Sequence, residues 1–449
     1  MPVKPNNKAL EETLEIILEG QRRIKEAKSM TRSYTKVLLE MMPSKPIKIV
    51  TGFRRSGKST IVKEVCQKLV RARKYALSNI LYLNFEDLKL TQHLEAERVN
   101  KIVDIFLKNK TGAKLLVFDE IQLVRDWDKL LRTIYEFANN INILITGSNS
   151  DLLSSELSSN LAGRFIELEI QTFSFAEFLL YKDIKIKNKQ EFDKHEYEIK
   201  DHFYEYIRFG GLPEMMSITS DDAKRSYLEG LISKVILDGV IERFNVRNSA
   251  VIEKILMYLL VNIGNVVSFV KIENYLKQLG HDLKQSTIIN YVDYLQKTFA
   301  IFELARFSWK NQRVFDSSKK YYASDVALSY LYHDLGNNFS KRLENLVYLK
   351  LKRDKRFANI YYGYDDVEID FISLERKDNL FEKYQVTKEL NDQNREREIG
   401  SLVYSDSYTK HSKNYLLSLE DNNALLEENI PGVSVKIQQN NLIQWLLGV

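Results

Sequence analysis

The sequence predicts an α/β protein whose N-terminal half is a parallel sheet covered by helices on both faces. Three observations carry that expectation. Short apolar runs near 47–51, 80–84, 115–119, 141–146 and 165–169 alternate with helical patterns, as strands buried on both faces of a sheet do. The first run, Ile47 to Val50, leads through a glycine-containing loop into the helix-patterned stretch 60–69. The third, Lys114 to Phe118, ends in two carboxylates, Asp119 and Glu120.

The loop reads Gly52-Phe53-Arg54-Arg55-Ser56-Gly57-Lys58-Ser59-Thr60. Its spacing, Gly52-x-x-x-x-Gly57-Lys58-Ser59, is that of a phosphate-binding P-loop (Walker A). Backbone N–H groups there turn inward around a phosphate at the positive end of the following helix. Gly52 and Gly57 permit the tight turn and the close approach. Lys58 is expected to reach the β/γ-phosphates of ATP, and the Ser59 hydroxyl to ligate Mg²⁺.

Asp119 and Glu120 supply the second half of such a site, because ligands collect at the carboxyl ends of parallel strands. Asp119 is the expected Mg²⁺ partner, through water, and Glu120 the group that orients and deprotonates an attacking water. The run Ile141–Thr146 ends in Gly147-Ser148-Asn149, so Ser148 or Asn149 is a candidate to sense the γ-phosphate or the water. Leu161-Ala162-Gly163-Arg164 precedes the run beginning at Phe165. An arginine so placed suits an arginine finger reaching a neighbouring copy's nucleotide in a homo-oligomer.

Composition sets the frame. A chain of 449 residues suits two or three domains, and 44% hydrophobic with 28% charged residues is ordinary for a soluble protein. The single cysteine, Cys66, excludes an internal disulfide framework and fits a reducing compartment. With no run of 18 apolar residues and no signal-peptide core, a cytoplasmic protein without membrane association is expected. One cysteine and six histidines without ligand spacing give no case for zinc. A net charge of +5 permits nucleic-acid binding without arguing for it.

The organisation along the chain is legible. Residues 1–40 form a helical segment in which Leu10, Leu14, Ile17 and Leu18 recur at helical spacing, as in a docking helix. The nucleotide-binding core spans 41–180 and a helical lid or linker 181–249, where Gly210-Gly211-Leu212-Pro213 stops one helix and turns into the next. Residues 250–325 read as a winged helix. Helical patterns around 252–260, 270–276 and 285–295 precede two strands able to pair, 301–306 and 320–323. Lys284, Gln285, Ser286, Thr287 and Asn290 lie at the start of its third helix, the expected recognition helix for DNA.

Residues 326–449 have a nuclease-like layout of the PD-(D/E)xK kind. Glu344 lies on a helix, Asp370 on the second of two strands (360–364 and 367–372), and Gln385-Val386-Thr387 on a third, 381–387. An active site of this kind carries Glu-x-Lys where this chain has Gln385 and Thr387, so cleavage is not expected. Lys383 and Lys388 flank the position but are expected to alternate differently along the strand. With Arg395 and Arg397 they are expected to line a surface that binds nucleic acid without cutting it.

The chain resembles the prokaryotic AAA-type P-loop ATPases that carry a C-terminal domain of unknown function, over nearly its whole length. The resemblance rests on residues 51–60, Asn84-Phe85-Glu86-Asp87, Phe118-Asp119-Glu120-Ile121-Gln122, Thr146-Gly147-Ser148-Asn149, Leu161-Ala162-Gly163-Arg164, Gly210-Gly211-Leu212-Pro213-Glu214, Glu368-Ile369-Asp370-Phe371 and Gln385-Val386. It implies an ASCE-type ATPase core, a winged helix and a restriction-endonuclease-like tail. The expected function is slow Mg-ATP hydrolysis coupled to a nucleic-acid-associated activity of the C-terminal domains. The alternative is a signalling or assembly ATPase acting on a protein partner, its tail structural and catalytically inactive.

Overall fold

The computed structural model describes residues 7–108, 110–137, 140–150, 161, 163–246, 248–332, 339–378, 380–409, 412–430 and 433–449. The chain divides into two compact units, Met1–Ile170 with Lys297–Phe299, and Gln171–Gln296 with Ala300–Val449.

The first unit contains α1 (Asn7–Glu26), α2 (Ser33–Met41), β1 (Ile47–Thr51), α3 (Lys58–Arg71), β2 (Ile80–Asn84), α4 (Ala96–Leu107), β3 (Lys114–Asp119), α5 (Trp127–Phe137), β4 (Ile141–Gly147) and β5 (Phe165–Glu169). The five strands stand where the apolar runs predict them. They form one parallel sheet in the order β2-β3-β4-β1-β5. Successive side chains of each strand enter opposite cores. Ile47, Ile49, Leu81, Leu83, Leu116, Phe118, Ile143 and Ile145 meet α1, α4 and α5 on one face. Val50, Ile80, Tyr82, Leu115, Val117 and Leu144 meet α2 and α3 on the other, where Cys66 is a buried core residue. Register aligns the carboxyl ends, with Val50 opposite Thr146, Thr51 opposite Gly147, and Asn84 opposite Asp119. Because β4 lies between β1 and β3, its end sits between the P-loop and the Asp-Glu pair.

Of the residues expected on the docking face of α1, Ile17 is buried, whereas Leu10, Leu14 and Leu18 are exposed. Thr13, Ile16, Gly20 and Ile24 face inward with Ile17. Gly20 explains the choice, since a Cβ there would stand 2.2 Å from the Tyr82 carbonyl oxygen, so only this face lets helix and strand backbones meet. Gln21 adds a bond from Nε2 to the Ile80 carbonyl at 3.2 Å.

The second unit begins with α6 (Phe175–Tyr181), α7 (Lys189–Lys194), α8 (Glu196–Phe209) and α9 (Asp221–Ile236). The polar stretch after Tyr181 is therefore largely helical. Gly210, at φ +70°, ends α8, and the Asp325 carboxylate accepts from the N–H groups of Gly211 and Ala327, both at 2.9 Å. Next come α10 (Ser249–Val261), β6 (Val266–Val267), α11 (Phe269–Gln278), α12 (Gln285–Lys297), β7 (Ile301–Ser308) and β8 (Arg313–Ala323). The expected pairing of the two strands is present, with Ile301 opposite Ala323 and Leu304 opposite Lys320.

The remaining elements are α13 (Val326–Tyr330), α14 (Phe339–Arg353), β9 (Phe357–Tyr364), β10 (Glu368–Glu375), β11 (Phe381–Val386), α15 (Ser401–Asp406), β12 (Ser412–Ser418), β13 (Ala424–Ile430), β14 (Val433–Asn441) and α16 (Leu442–Leu447). Strands β6 to β14 form one sheet in the order β13-β14-β12-β11-β10-β9-β7-β8-β6. That sheet runs unbroken across residue 325, joined by the parallel pairing of β7 with β9. Phe307, Trp309, Ile369, Ile372, Leu402, Leu416 and Ile437 are among its core. Among the described residues no helix is long and apolar enough to cross a membrane.

Gly20→Ala is expected to force α1 away from β2 and to lower stability by about 1–3 kcal/mol, the usual cost of overpacking. A urea titration reading a lowered midpoint checks it; an unchanged midpoint contradicts the close backbone approach.

Candidate nucleotide site

The loop between β1 and α3 is built from unusual backbone angles. Gly52 has φ +137°, Arg55 +64° and Gly57 +97°. A Cβ at Gly52 would stand 2.1 Å from the Ile170 carbonyl oxygen, so no other residue fits. Phe53 and Ser56 are buried, Arg54, Ser59 and Thr60 half-buried, and Arg55 exposed. Ser56 Oγ has no hydrogen-bond partner among the described residues. Arg32, from before α2, donates to the Ser56 carbonyl at 2.9 Å, and Arg54 pairs with Glu86 beyond β2 at 2.5 Å. Lys58 Nζ donates to the carbonyls of Gly52 at 3.0 Å and Phe53 at 3.1 Å.

Asp119 is fully buried and its carboxylate is surrounded by hydroxyls. Ser59 Oγ lies 3.0 Å and Thr146 Oγ1 2.5 Å from Oδ1, and Tyr82 OH 2.5 Å from Oδ2. Burial and then the neighbouring Glu120 raise its pKa, against the pull of the three hydroxyls. Glu120 moves the other way. Burial pushes it up, but the Lys58 ammonium, 3.6 Å from Oε1, and bonds from Gln122 and Ser148 outweigh that and hold it below the usual carboxylate range. Its Oε2 accepts from Gln122 Nε2, from Ser148 N–H at 3.2 Å and from Ser148 Oγ at 3.0 Å. Glu120 adopts a left-handed backbone, φ +56°, and its N–H donates to Thr146 Oγ1 at 2.9 Å. For a residue with a Cβ that conformation costs about 1–3 kcal/mol.

The structure thus brings Lys58, Ser59, Asp119, Glu120 and Ser148 together. Asn149 is buried beside them in sequence. Arg164 is held elsewhere in the same unit, its guanidinium 3.1 Å from Glu136 and 5.9 Å over the Tyr135 ring. Ala162 of the same motif lies outside the described residues. Sequence reasoning missed Tyr82, Thr146 and Gln122. The signal was weak: each is a hydrogen-bonding side chain in or just after a mainly apolar run that holds others, such as Asn84 and Asn142.

In the second unit, Glu344 and Asp370 are both buried. Burial, then the charge on Asp370, pushes Glu344 up to about 7, although Lys341 Nζ lies 2.8 Å away. Asp370 Oδ2 accepts from Val386 N–H at 2.9 Å. Gln385 is used at both ends, its Oε1 accepting from Asp370 N–H at 2.7 Å and its Nε2 donating to Glu398 at 3.0 Å. Burial pushes Glu398 up to about 6. Thr387 Oγ1 donates to the Glu389 carbonyl. Lys383 corrects two expectations. It shares the face of Gln385, because positions two apart on a strand point the same way, and it is fully buried against Asp406 at 3.2 Å. It therefore lines no surface. Lys388 is exposed, while Arg395 pairs with Glu428 and Arg397 with Glu398.

A parallel sheet with a P-loop after β1 and an Asp-Glu pair at the end of β3, with β4 between them, defines a P-loop ATPase fold of the AAA type. Residues 44–179 match the AAA domain, and residues 200–338 a domain of unknown function (DUF8612). The uncharacterized protein MJ1544 of Methanocaldococcus jannaschii is 33% identical over 389 residues, spanning 86% of this chain and 83% of that protein. The chain belongs to the same family as that archaeal protein. An uncharacterized protein of Haemophilus influenzae is 28% identical over 381 residues, 84% of this chain and 91% of its own length. Among solved structures, the Walker-type ATPase PABY2304 of Pyrococcus abyssi aligns with a TM-score of 0.41 at 15% identity, over 69% of this chain and 99% of that one.

Glu344 also sets a pH dependence. Its folded pKa, about 7, lies above the ordinary 4.5, so the folded chain binds more protons between these values. That contribution to stability is complete below pH 4.5 and is lost as pH rises through 7, by on the order of 3 kcal/mol. Glu398 adds in the same direction. Glu344→Gln is expected to flatten the fall in urea midpoint between pH 4.5 and 8; an equal fall in parent and variant contradicts the assignment.

Proposed function

We propose that the chain binds Mg-ATP and hydrolyses it slowly, and that turnover is coupled to a nucleic-acid-associated activity of its second unit. The observation that carries the ATPase reading is the meeting of Lys58, Ser59, Asp119 and Glu120 at one end of the parallel sheet, with Ser59 Oγ 3.0 Å from Asp119. The residues fit the ligand. The positive-φ loop offers backbone N–H groups to an anion, and the buried Ser56 hydroxyl is a further donor without a partner among the described residues. Lys58 exchanges its loop carbonyls for the β/γ-phosphates. Ser59 and Asp119 hold Mg²⁺, which when bound neutralises charge developing on the phosphates. Glu120 takes the proton of the attacking water. Asn149 remains a candidate sensor. Arg164 acts in trans only after leaving Glu136.

Lys58→Ala is expected to abolish ATP binding, and Glu120→Gln to keep binding while stopping turnover, because an amide takes no proton. Titration with labelled ATP and a phosphate-release assay read both. Parental turnover in Glu120→Gln removes that residue from the base role.

The nucleic-acid part rests on the second unit. The order α10-β6-α11-α12-β7-β8, with β8 antiparallel between β6 and β7, supports the winged-helix reading. At the start of α12, Lys284, Gln285, Ser286 and Asn290 are exposed and Thr287 half-buried. The order α14-β9-β10-β11-α15-β12, with β12 parallel to β11, supports a nuclease-like core. Gln385 supplies an amide where cleavage needs a carboxylate, which supports binding without cutting. Salt-dependent retention on duplex DNA, weakened in Lys284→Ala, is expected from phosphate contacts. Absence of retention at low salt favours the alternative, an ATPase acting on a protein partner.

A further inference from the structure

Glu120 is held by more than its place beside Asp119. Its Oε2 accepts three hydrogen bonds, one from Gln122 Nε2 and two from the N–H and hydroxyl of Ser148. Its Oε1 faces the Lys58 ammonium at 3.6 Å, and the charge of Arg54 also acts on the carboxylate. The two oxygens are therefore unequal. One is saturated by fixed donors, and the other faces a cation whose work, on the ATPase reading, is to move onto phosphate.

The fixed side carries costs that packing alone would not retain. Glu120 keeps a left-handed backbone. Gln122 spends its Nε2 on Glu120 while its Oε1 is buried with no partner among the described residues. A buried acceptor left unmade in this way calls for a reason. The amide orientation follows from the contact, since the reverse would set a carbonyl oxygen against a carboxylate. Ser148 Oγ lies 3.5 Å from the same Nε2, so the glutamine and the serine act on one oxygen from two elements, the turn after β3 and the end of β4.

We propose that Gln122 and Ser148 are positioning residues that fix the Glu120 carboxylate through Oε2 and leave Oε1 as the oxygen that receives the proton from water. The proposal rests on the ATPase reading and adds to it. Ser148 serves the base, where the sequence alone suggests contact with the γ-phosphate or the attacking water. A general base oriented by a third group recurs in activated nucleophile systems. When the water's O–H bond breaks, the proton goes to Oε1 and the oxygen's electron pair forms the bond to the γ-phosphorus. The bond from that phosphorus to the β,γ-bridging oxygen breaks, and its electron pair leaves with ADP. ATP and water are the only reactants.

The test is ATP turnover and ATP affinity in the full-length parent, Gln122→Met, Ser148→Ala, Ser148→Thr and each of the first two combined with Glu120→Gln. Gln122→Met keeps the side-chain length and removes donor and acceptor. It and Ser148→Ala are expected to lower kcat about tenfold, the scale of a lost orienting hydrogen bond, with the Kd for ATP within about twofold of the parent's. Ser148→Thr, which restores the hydroxyl, should recover part of the loss. In the Glu120→Gln background, single-turnover rates should not fall further, because residues acting through one group are not additive with its loss. Parental kcat in both variants overturns the proposal. So does a loss of ATP affinity matching the loss of kcat, or a full further loss in the Glu120→Gln background, since either assigns the pair a structural or phosphate-binding role. A parent whose ATP turnover equals that of Lys58→Ala fails the ATPase reading itself, and the proposal falls with it.

Discussion

Two adjacent carboxylates, Asp119 and Glu120, lie buried at the end of a strand whose preceding four residues are apolar and inaccessible to solvent. Taking a charge out of water costs several kcal/mol unless hydrogen bonds and opposite charges replace the solvent. The rest of the first unit is arranged to supply them. Parallel register brings Thr146 level with Asp119 and sets Tyr82 on the adjoining strand. The P-loop delivers Ser59 and Lys58 from the first turn of α3. Gly52 lets that loop pass against Ile170 closely enough to do so. Each of these features follows from placing two negative charges where the sheet is driest.

The environments of the pair then separate them. Asp119 meets only hydroxyls and a like charge, so burial wins and its pKa rises. Glu120 meets an ammonium, an amide and a serine, so burial loses and its pKa falls. Neighbouring titratable groups pushed in opposite directions generally mark a division of labour. Here the aspartate is short of positive charge, a state that suits a cation ligand, while the glutamate is compensated by Gln122 and Ser148 on one oxygen and by the Lys58 ammonium on the other.

Much of this was legible in the sequence because the strands are buried on both faces and read as continuous apolar runs, and because P-loop chemistry fixes residue type at fixed spacing. What was not legible depended on register. Tyr82 is one aromatic in an aliphatic strand, and only its alignment beside Asp119 gives the hydroxyl a task. Thr146 reads as a strand end until β4 is known to lie between β1 and β3. The docking face of α1 is only partly legible for a similar reason. Leucines at helical spacing outweigh a glycine in any count of hydrophobicity, yet Gly20 decides which face meets the backbone of β2. In the second unit, Lys383 was assigned by its charge to a surface, although a two-residue period puts it on the face of Gln385 and burial against Asp406 neutralises it.

The second unit handles buried acid in another way. Glu344, Asp370 and Glu398 are all buried, and burial raises the pKa of each. A fourth carboxylate at position 385 would add like charge to a region that already resists ionisation. It would also bring an acceptor to Glu398, which needs a donor. Glutamine has the right shape and both functions, accepting from Asp370 N–H and donating to Glu398. An acidic residue there pays off only when a bound cation absorbs the added charge. The amide therefore ties Asp370 and Glu398 together through protein groups. A region in this state supports the sheet and the helix carrying Glu344 whether or not any ligand arrives.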